Sequence, residues 1–182
     1  MARPTPSQTV GPFFARELIW RDGGTVLFPG HGERITVKGR VVDGAGAPVV
    51  DALLETWQAD ASGRFPTGGE GDRPYGYGRV STDADGSYAI ETVMPGAFKG
   101  PHGETYAPQI SVSIFARGLL KAVQTRVFLA PFEAIKDDPL VRAIGDPERI
   151  RTLIAAPEAR SPRLYRWDVR LRGAGEAVFI EI

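Results

Sequence analysis

Between residues 106 and 130 the chain reads YAPQISVSIFARGLLKAVQTRVFLA, with apolar and polar positions alternating through most of it. Ile110, Val112 and Ile114 interleave with Gln109, Ser111 and Ser113. That period of two sends the first set to one face of a strand and the second set to the other. Val123, Thr125, Val127 and Leu129 repeat the alternation over 123–130. ARGLLK between the two runs could start a helix, but Gly118 and the short interval predict a turn. The polar face of the first strand is either solvated or lines a site.

The same alternation marks other strands. Ile35, Val37, Gly39 and Val41 define one over 35–42, and DGAGAP at 43–48 turns the chain. A second covers 49–60, with Ala52, Leu54, Thr56 and Gln58 against Leu53, Glu55, Trp57 and Ala59. Glu55 sits between apolar neighbours, so it either has a buried partner or faces water at a rim. Residues 61–78 read as a long glycine-rich loop carrying Phe65, Tyr75 and Tyr77. DADG at 83–86 is a turn followed by a short strand over 87–92, and 94–105 is a further loop. The character changes over 131–160, where Pro147 follows a candidate N-cap at Asp146 and Ile150, Leu153 and Ile154 fall at helical spacing. Residues 165–171 and 177–182 are predicted to form a terminal hairpin.

These elements predict an all-β fold: a β-sandwich of short, mostly antiparallel strands with an extended N-terminal arm and one short helix. A closed barrel is the alternative, because period and spacing do not fix sheet closure. The arm and turn region occupies 1–32 and the sandwich 33–182. Val10, Phe13, Phe14, Leu18, Ile19 and Trp20 are too apolar for a solvated tail. The arm therefore packs on its own domain or crosses to a partner subunit.

Composition narrows the function more than the fold. A chain of 182 residues is one domain with room for a sizeable core. Lys plus Arg equals Asp plus Glu at 22 each, so there is no global pull towards nucleic acid or an anionic membrane. There is no cysteine, hence no disulfide framework, zinc–cysteine site or thiol nucleophile. No stretch is long enough to span a membrane and no signal-peptide core stands at the N-terminus, so a cytoplasmic protein is expected. His31 and His102, each beside a glycine, lack a periodic strand to hold them as ligands. DADG lacks the later ligands of a calcium loop. There is no nucleophile elbow, Walker loop, dinucleotide fingerprint or HExxH. Taken alone, these residues describe a β-rich domain whose catalytic equipment is missing or borrowed.

Longer motifs add a resemblance. TPSQTVGPFF at 5–14, ERITVKGRVVDGAGAPVVDALLETWQADASGRF at 33–65, GYGRVSTDADGSYAIETVMPGAF at 76–98, APQISVSIFARGLLKAVQTRVFLA at 107–130 and YRWDVRLRGAGEAVFI at 165–180 resemble, in order, the intradiol ring-cleavage dioxygenases. The resemblance implies a mononuclear non-haem Fe(3+) centre held by two tyrosines and a His-x-His. Here the matching positions carry Phe65, Phe98, Gln109 and Ser111. Phenylalanine lacks the phenolate oxygen, and neutral Gln and Ser are poor substitutes for imidazole. Iron is therefore expected on a homologous beta chain, with this chain as the non-catalytic alpha partner in a higher-order alpha–beta oligomer. The implied reaction is cleavage of 3,4-dihydroxybenzoate with O2 to 3-carboxy-cis,cis-muconate. By the same resemblance, Thr9, Gly11, Pro12, Phe13 and Arg117 help wall the partner's substrate pocket. An interface ion pair is the alternative for Arg117, and plain packing for Phe13. The alternatives for the whole chain are a structural or ligand-binding sandwich subunit of an unrelated complex and a homomeric dioxygenase with other ligands.

Overall fold

In the computed structural model, which describes residues 18–181, the strands in chain order are β1 (Arg34–Val42), β2 (Leu53–Trp57), β3 (Gly69–Glu70), β4 (Arg73–Pro74), β5 (Tyr77–Ser81), β6 (Ser87–Val93), β7 (Phe98–Lys99), β8 (Thr105–Tyr106), β9 (Gln109–Phe115), β10 (Val123–Phe128), β11 (Ala156–Glu158), β12 (Ser161–Arg166) and β13 (Val169–Arg170). They build a sandwich, as the alternation predicts. One sheet runs β10–β9–β2–β5 and is antiparallel throughout. The other centres on β1, with β6 antiparallel on one edge and β12 and β13 parallel on the other. Ile110, Val112 and Ile114 of the first sheet and Val37, Val41 and Ile90 of the second meet in one buried core. Each fully buried aliphatic side chain of this size contributes about 1.5–3 kcal/mol relative to exposure.

The parallel edge depends on an interruption. β12 and β13 are one run along β1, broken at Trp167 and Asp168. Trp167 N–H donates to Lys38 O at 2.9 Å, and Asp168 Oδ1 accepts from Arg40 N–H at 2.9 Å. The buried Tyr88 hydroxyl donates to Trp167 O at 2.7 Å. This brings the Trp167 carbonyl so close to β1 that a Cβ at Gly39 would stand 1.7 Å from its oxygen. Gly39 is required by that approach.

At one end of the sandwich Gln58, 1% exposed, ties the two sheets together. Its Nε2 donates to Val93 O at 2.9 Å, and its Oε1 accepts from the Thr92 hydroxyl at 2.8 Å.

Several expectations need correction. The helix after Asp146 is present as Pro147–Arg151, with Asp146 accepting from Glu148 and Arg149 N–H. Two further short helices, Phe132–Ile135 and Pro139–Ile144, precede it. With Phe128, Leu153 and Val178 their apolar residues form a second cluster at the end of β10. The terminal hairpin does not form. Past Gly173 and Gly175, both at positive φ, Ala177 N–H makes one bond back to Arg170 O of β13 at 3.0 Å, and Ile180 N–H then bonds Gln124 O on the other sheet at 2.8 Å. Residues 61–78 are not all loop: β3 and β4 form a small ribbon and β5 begins at Tyr77. DADG is the predicted turn, with Asp85 accepting from the Ser87 hydroxyl and amide and from Arg40. The Ser87 hydroxyl, then its amide and Arg40, hold the Asp85 carboxyl at about 2.

Candidate functional site

The polar face of β9 lines a site. Strand register sets out a row across the sheet, Tyr77–Trp57–Ser111–Arg126, because Trp57 pairs with Tyr77 and Ser111, and Ser111 with Arg126. Directly opposed residues point to the same face, so all four stand on the side away from the core. The next row is Arg79–Glu55–Ser113–Gln124. Gln109 lies on the same face, two residues from Ser111.

Trp57, Ser111, Arg126 and Gln109 form the floor of a cavity of about 600 Å³. Phe65 from the loop after β2, together with Phe98, Lys99 and Tyr106 from the β7–β8 ribbon, makes one wall. Pro139 and Leu140, at the start of their helix, close the other side. That side is fixed by Asp138, 2% exposed, whose carboxylate accepts from Leu140 N–H at 2.9 Å and Ala107 N–H at 2.8 Å.

Four rings make a continuous aromatic wall. Trp57 and Phe65 stack with centroids 6.0 Å apart, Phe65 meets Phe98 edge-on at 5.0 Å, and Phe98 stacks on Tyr106 at 5.1 Å. The sequence positions matching iron ligands, Phe65, Phe98, Gln109 and Ser111, are thus brought to one cavity.

The polar equipment of the cavity is cationic and neutral. Arg126 donates to Thr125 O at 2.9 Å and has no ion-pair partner among the described residues. Burial pulls its pKa down, against the opposing influence of Asp138 and Tyr106. Lys99 donates to the Thr105 hydroxyl at 2.5 Å. Gln109 is 5% exposed, and its Oε1 has no hydrogen-bond partner among the described residues. Tyr106, the one phenol in the lining, donates to Glu104 at 3.2 Å. Burial and then Glu104 raise its pKa.

This donor set does not fit a ferric ion. Hard trivalent iron asks for anionic oxygen and imidazole ligands, whereas the cavity supplies two cations, an amide, a hydroxyl and a phenol held in its neutral form. His31 and His102 are exposed, and no group of three His, Cys, Asp or Glu among the described residues could hold a metal ion.

The other candidates fall elsewhere. Thr9, Gly11, Pro12 and Phe13 lie outside the described residues. Arg117 sits in the β9–β10 turn, beyond the opposite end of the seven-residue strand from Gln109, and pairs with Asp51. Tyr75 and Tyr77 do not line the cavity. Glu55 has a partner in Arg79 at 2.6 Å, both side chains being largely buried. Arg79 also donates to the Tyr77 hydroxyl at 3.1 Å and to Leu18 O at 3.2 Å, and lies 4.5 Å from the centre of the Trp20 ring. This cluster clamps residues 18–20 onto the sheet.

Sequence reasoning missed Arg126 and Lys99. Arg126 had a signal: on a strand read as Val123, Thr125, Val127 and Leu129, it must share the opposite face with Gln124. Its place beside Ser111 follows only from the register.

Fold and motif order together define the class. Residues 11–173 match the dioxygenase family model, and the chain belongs to that family. Within it, the chain is similar to the protocatechuate 3,4-dioxygenase alpha chain of Burkholderia cepacia, 36% identical over 99% of this chain and 98% of that one. It is also similar to the protocatechuate 3,4-dioxygenase beta chain of the same organism, 33% identical over 78% of this chain and 66% of that one. Among solved structures, the dioxygenase domain of a dioxygenase carbohydrate-binding fusion from Streptomyces sp. SirexAA-E superposes with a TM-score of 0.63. It is 26% identical and covers 97% of this chain and 100% of that one. The resemblance read from the motifs holds.

Proposed function

We propose that this chain is the non-catalytic alpha subunit of a protocatechuate 3,4-dioxygenase. One observation carries the reading: in a fold that keeps the family's strands, the positions expected to hold iron are phenylalanine, phenylalanine, glutamine and serine around a single cavity floored by Arg126. The ferric ion then belongs to a homologous beta chain, where it supplies the redox chemistry that joins both atoms of O2 to the ring of 3,4-dihydroxybenzoate and opens it to 3-carboxy-cis,cis-muconate.

The work of this chain is positioning. The Arg79–Trp20–Tyr77 clamp fixes where residues 18–20 leave the sheet, so that Thr9, Gly11, Pro12 and Phe13 can form a wall of the partner's pocket. Gly11 allows close backbone approach to a ring and Pro12 stiffens it. Arg117 lies on an exposed turn and pairs with Asp51, and its assigned role is on the carboxylate side of that pocket. A guanidinium there steers a substrate carrying a carboxylate.

Co-expression with a homologous beta chain bearing both tyrosines and the His-x-His tests this reading. Protocatechuate cleavage is expected to need both chains. Arg117→Ala is expected to raise KM roughly tenfold with a smaller change in kcat, the loss of one charge-assisted contact made in ground and transition states alike. Full activity from this chain alone would contradict the subunit role. An unchanged KM would remove Arg117 from the pocket.

A further inference from the structure

Glu55 stands at the middle of β2, its side chain only 20% exposed, and pairs across the sheet with Arg79 of β5. Burying such a pair costs desolvation, and two apolar side chains would hold the strands as well. What the pair does is orient Arg79. Glu55 Oε1 accepts from Arg79 Nε at 2.9 Å and lies 2.6 Å from its Nη2. The guanidinium is a rigid fork, so fixing that edge aims the rest. Nη2 also donates to the Tyr77 hydroxyl at 3.1 Å, and Nη1 donates to Leu18 O at 3.2 Å. The guanidinium carbon lies 4.5 Å from the centre of the Trp20 ring, which packs on Tyr77 with centroids 5.4 Å apart.

The segment after Trp20 is secured in another way. Arg79 N–H bonds Gly23 O, Gly76 N–H bonds Leu27 O and Val26 N–H bonds Glu91 O, each at 2.8 Å. Residues 23–27 are therefore tied to both sheets by backbone alone. Residues 18–20 are held instead by one backbone bond, Gly23 N–H to Trp20 O at 3.2 Å, and by the Arg79 side chain.

We propose that Glu55 is a positioning residue for the pocket shared with the partner chain: by orienting Arg79 it holds residues 18–20 and sets the point from which the arm starts. The inference rests on the subunit reading, in which Thr9, Gly11, Pro12 and Phe13 wall that pocket. Glu55 itself touches neither substrate nor iron. Without its charge the buried Arg79 guanidinium is uncompensated and turns towards water, releasing Leu18 O and the Trp20 ring. The arm is then in place for a smaller fraction of the time, and apparent substrate affinity falls by that fraction. Saturating substrate restores the ordered state, so turnover changes little.

Steady-state kinetics and limited trypsin digestion of the co-expressed alpha–beta pair test it. Glu55→Gln is expected to raise KM for protocatechuate roughly tenfold, the order of one residue's backbone entropy, with kcat changed less than about twofold. Trypsin cleavage after Arg21 should quicken by roughly tenfold, because it follows local opening. Glu55→Met combined with Arg79→Met replaces the ion pair by apolar packing. That double variant should keep its thermal stability while showing the same rise in KM and in cleavage. In a Pro12→Ala background, Glu55→Gln should add less than about threefold to KM, since both changes act through the arm. An unchanged KM or an unchanged cleavage rate in these variants overturns the proposal. So does full additivity with Pro12→Ala, which would mean that Glu55 acts by another route. If Glu55→Gln does not fold, the double methionine variant decides. An unaltered pair that fails to cleave protocatechuate would sink the subunit reading and this role with it, whereas an active pair with unresponsive variants removes Glu55 alone.

Discussion

With Phe65→Tyr, Phe98→Tyr, Gln109→His and Ser111→His introduced together, the chain is expected to bind ferric iron and to become coloured. The argument is geometric. Phe65 and Phe98 touch edge-on at 5.0 Å, and both line the cavity that Gln109 and Ser111 floor from one face of β9. The four changes restore two phenolates and two imidazoles, a donor set suited to iron(III). Any one of them alone leaves three non-ligands and should bind nothing measurable. Arg126 opposes the metal, because it stands in register beside Ser111 and its charge is buried. Adding Arg126→Gln is therefore expected to raise iron occupancy of the quadruple variant, from partial towards one per chain. Elemental analysis and visible absorbance read the result. A folded, colourless and iron-free quintuple variant would mean that the four positions do not converge as ligands.

The second large effect concerns the frame that holds the site. Gly39→Ala is expected to destabilise the fold by about 3 kcal/mol or more, within the range for overpacking against fixed backbone. The added methyl would stand 1.7 Å from the Trp167 carbonyl, an atom that also accepts from Tyr88 and so cannot retreat without breaking that bond. The parallel pairing of β12 and β13 with β1 would be displaced. For a domain of this size the loss corresponds to a fall in Tm on the order of 10 °C, measurable by thermal denaturation. A Tm within about 2 °C of the unaltered chain, roughly the effect of a minor surface change, would show that the Trp167 interruption is not needed.

Much of the fold was legible because strands with one buried face write their period into the sequence. Ile110, Val112 and Ile114 reported β9, Gly118 reported its turn, and Asp146 with Pro147 reported the last helix. The two helices after β10 were not legible, since elements of four and six residues are too short to display a helical period. The terminal segment misled for another reason. Ala177 and Val178 alternate as a hairpin strand would, but their burial is satisfied against β10 and the second cluster, a choice made by tertiary contacts.

The site divides in the same way. Phe65, Phe98, Gln109 and Ser111 were marked by motif resemblance, and the structure brings them to one cavity. Arg126, which gives that cavity its sign of charge, depends on the pairing of β10 with β9, and register is not written in a single strand's period. Its polar position on β10 was visible, but its neighbour was not.

The central claim is that this chain completes a dioxygenase without carrying its iron. Metal analysis of the chain expressed alone, beside the pair co-expressed with a beta chain that keeps both tyrosines and the His-x-His, tests it most directly. The account predicts a colourless, essentially iron-free chain alone, and one iron per alpha–beta pair together with protocatechuate cleavage. Near-stoichiometric iron in the chain alone, with the visible absorption of an iron–tyrosinate centre, would contradict it.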